Sequence, residues 1–80
     1  MSLDAKKANA NKTYVVASAI VLALERLRAG EIEIHDWMAD AIGGRVRAAA
    51  DAGISEPERL RDEALLHLLG EMRQRMAQIQ

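Results

Sequence analysis

Between Tyr14 and Leu24 eleven residues pass without a charge, a glycine or a proline, and only Ser18 and the Tyr14 hydroxyl are polar. At 3.6 residues per turn Val16, Ile20, Ala23 and Leu27 form one stripe. Val15, Ser18 and Leu22, flanked by Val21, form another on roughly the far side. A helix apolar on both sides has to be covered on both. The rest of the chain offers little to do it with, so the pattern predicts a homodimer packed through helix 1. The first stripe is expected against helix 3 within the chain, and Val15, Ser18, Val21 and Leu22 are expected at the self-association surface.

Helix 1 is expected over about 4–29. Ser2 or Asp4 could cap it, Asn9, Asn11 and Thr13 weaken its start, and Gly30 is well placed just past its end. Glu31-Ile-Glu-Ile-His35 alternates polar and apolar. An isolated strand would not survive alone, so residues 30–35 read as an extended linker tucking Ile32 and Ile34 into the core. Helix 2, about 36–52, starts on Asp36 or His35 and turns Met38, Ala41, Ile42, Val46 and Ala49 inward. Gly43-Gly44 costs it on the order of 2 kcal/mol relative to alanine, which predicts a bend or a break there. Helix 3, about 55–79, opens on Ser55-Glu-Pro-Glu58, with Ser55 and Glu58 spaced as a capping box and Pro57 in the first turn. Along it Leu65, Leu69, Met72, Met76 and Ile79 make a heptad seam, with Leu60, Ala64 and Leu68 as a second strip. The predicted fold is all-α: one domain over 1–80, a small bundle of three principal helices.

Composition sharpens the case for a partner. An 80-residue chain is near the size at which one core is marginal, and with no cysteine it has neither disulfides nor thiolate metal sites. Fifteen of its residues are alanine, which suits helices but buries little area. One Trp, one Tyr and no Phe disfavour a β-sandwich and leave no platform for stacking bases.

The net charge of −1 supplies no field to hold nucleic acid or an anionic membrane. The apolar run falls short of the about 20 residues of a transmembrane helix and lacks the marks of a signal peptide, so a cytoplasmic protein of bacterial or viral type is expected. Charge is nonetheless segregated. Residues 31–40 carry Glu31, Glu33, Asp36 and Asp40 with no lysine or arginine among them, and Trp37 stands in their midst. These five are the candidate partner-binding residues, since a large aromatic can anchor an interface.

Other patterns have simpler readings. Arg-x-Arg occurs at 26/28, 45/47, 59/61 and 73/75, but positions i and i+2 lie about 200° apart on a helix, so each pair straddles it. Such arginines lay their stems along an apolar edge and keep their heads in water. Gly43-Gly44-Arg45 follows no strand and lacks the rest of a phosphate loop. Gly30, Ile32 and Asp36 fit half of a calcium loop, but Leu27 and Ala29 stand where ligands are needed. Asp36 and Asp40 sit in a first turn, where negative charge is favoured anyway. Glu63, His67 and Glu71 share a face at a spacing one residue longer than the Glu-x-x-His of di-iron bundles, and read as a solvated stripe. No nucleophile–base pair, metal site or cofactor site is expected. The function expected is a non-enzymatic protein-binding module, an inhibitor or adaptor of the kind mobile elements encode against host defence or regulation. The alternative is a small nucleic-acid-binding regulator using its arginine pairs.

Overall fold

A computed structural model describes residues 2–79, with side chains described for 11–78. The Ser2 and Asp4 caps and the Ile79 end of the seam fall outside the described side chains. Three helices follow one another: α1 (Ser2–Ala29), α2 (Asp36–Asp51) and α3 (Pro57–Ile79). Lys12 of α1 pairs with Asp51 of α2, while Arg45 and Arg75 meet Glu63 and Trp37 across α2 and α3. Residue numbers rise on one helix as they fall on the next, so the bundle runs up, down and up. At 1.5 Å per residue α1 spans about 42 Å. The molecule measures 56 Å along its long axis and 23 × 19 Å across it, so α1 and α3 are offset lengthwise.

The core draws on all three helices. It is built from Ala19, Ala23 and Leu27; Met38, Ile42, Val46 and Ala49; and Leu60, Ala64 and Leu68. Four of these ten are alanines, which lets the helices approach closely while each larger side chain contributes about 1.5–3 kcal/mol on burial. The register differs from expectation on two helices. On α1 the buried line is Ala19–Ala23–Leu27, and Val16 and Ile20 are half-buried beside it. On α3 the expected second strip is the buried one, and the seam lies outside: Leu65 and Met72 only border the core, while Leu69 and Met76 are exposed.

The helix ends refine the picture further. α3 begins at Pro57, and its first turn closes from the Leu60 N–H to the Glu56 carbonyl at 3.0 Å. Glu56 therefore holds the capping position expected of Ser55. At the start of α2 the extended residue His35 is the cap, and its N–H donates to Met38 Sδ at 3.5 Å. α2 is a single helix through both glycines. Gly43 is buried because the Arg47 guanidinium lies over it, within 3.5 Å of where a Cβ would stand. The absent side chain makes room for an arginine one turn on. Of the linker isoleucines Ile34 packs against the core, whereas Ile32 stays at the rim and reaches over Gly30.

Candidate interaction surfaces

The acidic residues collect at one end of the bundle. Glu31 and Glu33 lie on the α1–α2 link, Asp36 opens α2, and Asp40 follows one turn later; all four are exposed. Glu33 stands 3.8 Å from His35 Nε2. Among the described residues Glu31, Asp36 and Asp40 have no ion-pair partner, although Arg45–Glu63 and Arg61–Asp62 pair at 3.3 and 2.9 Å elsewhere on the surface. Trp37 is half-buried and packs against the core, and the Arg75 guanidinium covers its ring at 3.8 Å from the centroid. The indole thus ties the far half of α3 to the start of α2. Sequence spacing could not place Arg75 there, because the contact crosses two helices 38 positions apart.

The expected self-association face of α1 is partly spent inside the chain. Val15 packs against the core, and Ser18 and Leu22 are half-buried, which leaves Val21 and the neighbouring Tyr14 exposed. Ser18, Val21 and Leu22 line an open groove beside Pro57 and Glu58 at the start of α3. The larger apolar surplus is on α3, where Leu66, Leu69 and Met76 are 68, 51 and 67% exposed. Exposed large side chains gathered on one face mark an interaction surface more often than scattered ones do.

Several of the remaining polar residues are occupied by neighbours. Arg45 meets Glu63, Arg47 lies on Gly43, Arg61 meets Asp62 and Arg75 covers Trp37. Arg45 and Arg47 thus send their heads to different surroundings. Glu63 turns to Arg45 and His67 to Glu71, with 3.0 Å between His67 Nε2 and Glu71 Oε1. Among the described residues no three acidic or histidine side chains are grouped to hold a metal ion, and no helix is long and apolar enough to cross a membrane. Compared with protein-family models, curated proteins and solved structures, the chain matches none of them.

Proposed function

We propose that this chain is a non-enzymatic protein-binding module. It acts in the cytoplasm by stoichiometric occlusion of a larger protein or complex, as the small inhibitors and adaptors of mobile elements do. The observation that carries this reading is the acidic end: four exposed carboxylates within ten residues, three of them with no ion-pair partner among the described residues. Carboxylates left without direct ion pairs on one tip raise the encounter rate with a basic surface and fix its orientation. The partner is accordingly a protein with a basic patch, with Trp37 and Arg75 at the border of the contact. The nucleic-acid alternative gains no support from the arginines, several of which are committed within the chain.

The test is capture of partners by the tagged chain beside a Glu31→Lys/Glu33→Lys variant. A partner recovered in one-to-one ratio should bind the variant more slowly, with a flatter salt dependence. Unchanged affinity across a salt series would remove the acidic end from the interface.

A further inference from the structure

The outward face of α3 carries Asp62, Leu66, Leu69, Arg73 and Met76, spaced 4, 3, 4 and 3, and all five are exposed. That is a heptad line sharing Leu69 and Met76 with the seam noted in the sequence, and it faces away from the bundle's own core. Its order has a symmetry. Two leucines stand at the centre, an acid lies four residues before them and an arginine four residues after. A two-fold axis across the helix between Leu66 and Leu69 carries each leucine onto the other, and Asp62 onto Arg73.

We infer that this face binds a second copy of the chain, α3 against α3 in antiparallel order. Leu66 of each subunit packs on Leu69 of the other, and Asp62 meets Arg73 at both ends. The charges choose the occupant and the direction. A parallel pair would set Asp62 on Asp62 and Arg73 on Arg73, whereas the antiparallel pair matches opposite signs twice. Asp62 accepts from Arg61 Nε at 2.9 Å and remains exposed, so a carboxylate oxygen is still available. Antiparallel alignment also places the positive end of each helix dipole beside the negative end of its neighbour.

Gly70 supplies an independent sign. It sits beside the centre of the line, in a helix interior where glycine is a poor choice. Among the described residues nothing outside its own stretch of helix backbone lies within 4 Å of where a Cβ would be, so no described contact within the subunit calls for it. In the antiparallel pair Gly70 faces the turn that carries Leu65 and Leu66 of the other subunit, where a missing side chain lets the helices close.

The proposal rests on the reading of the chain as an interaction module, but places self-pairing on a face separate from the acidic tip. Sedimentation equilibrium of the full chain at micromolar concentration, with circular dichroism on every variant, tests it. The wild type should be a dimer, and Leu66→Glu/Leu69→Glu a helical monomer. Asp62→Arg should weaken dimerisation by about tenfold or more, and so should Arg73→Asp, while the double exchange Asp62→Arg/Arg73→Asp should restore it. A monomeric wild type overturns the proposal, as does a leucine variant that stays dimeric. Single exchanges without effect, or a double exchange without rescue, also overturn it. Because Leu66→Glu/Leu69→Glu leaves Glu31 and Glu33 untouched, capture of a partner by that monomeric variant tests the acidic tip separately from self-pairing.

Discussion

Two helix ends in this molecule are built on the same plan with different residues. At the end of α1 the Ile32 N–H donates to the Leu27 carbonyl at 3.0 Å and the Glu31 N–H to the Arg28 carbonyl at 2.9 Å. At the end of α2 the Ile54 N–H donates to Ala49 and the Gly53 N–H to Ala50, both at 3.1 Å. These are two Schellman turns, each followed by an isoleucine. The residue that must turn left-handed is Gly53 in one, at a φ of 111°, and Glu31 in the other, at a φ of 60°. Glycine adopts such angles freely, while other L-residues are strained by about 1–2 kcal/mol. Glu31 also sets a carboxylate at the negative end of the α1 dipole. The end of α2 is therefore built for stability, and the end of α1 is built at a local cost in the segment read as the partner surface. Strain retained at one exposed position motivates a functional reading.

The comparison is broken most severely at Gly53. Nothing lies within 4 Å of a Cβ placed there, so Gly53→Ala isolates the backbone cost from any clash. It should lose about 1–3 kcal/mol, read as a lower urea midpoint at unchanged slope. Glu31→Ala, which exchanges one L-residue for another, should stay within about 0.5 kcal/mol of the wild type. Equal losses at both sites would mean that the left-handed turn is not what separates them.

The isoleucines after the turns come next. Ile54 is half-buried and packs on the core, whereas Ile32 is exposed at the rim. Thermal unfolding should report a loss of about 1–2 kcal/mol for Ile54→Ala and under about 1 kcal/mol for Ile32→Ala. The reverse order would put the better-packed link at the acidic end.

How far these features could be read from the chain depends on which interaction decides them. The three helices, the linker and the inward residues of α2 follow from periodicity, because Met38, Ile42 and Val46 are large enough to dominate the pattern. The buried line of α1 did not, since Ala19 and Ala23 carry weak hydrophobic signal and Val16 and Ile20 outshine them. On α3 two apolar strips compete, and only the placement of α1 and α2 decides that Leu60, Ala64 and Leu68 go inside. Gly30 draws attention as the helix stop, yet the positive φ falls one residue later. Of the candidate sites, the exposure of the acids was legible in their clustering, but the Arg75 cover on Trp37 and the inward packing of Val15 were not.

A smaller effect of opposite sign is expected at Glu31 itself. Glu31→Gly gives the α1 turn the residue the α2 turn already has, and should raise stability by about 0.5–1 kcal/mol. A loss of stability would contradict the left-handed conformation assigned to this position.

The smallest effect separates the two costs that Glu31 carries. Glu31→Gln keeps an L-residue of nearly the same shape in the left-handed conformation, so the backbone strain remains and only the charge is removed. Relief of the unfavourable dipole contact at an exposed helix end should then be worth a few tenths of a kcal/mol. Because the site is exposed, that gain should shrink as salt is added and the interaction is screened. The part of the Glu31→Gly gain that comes from backbone freedom should not shrink. Denaturation of both variants at low and high ionic strength makes the separation: the difference between Gly and Gln should persist in salt, while the difference between Gln and wild type should fade. If the Gln variant gains as much as the Gly variant, and both gains vanish in salt, then electrostatics alone distinguishes the ends of α1 and α2, and the strain assigned to Glu31 is not there.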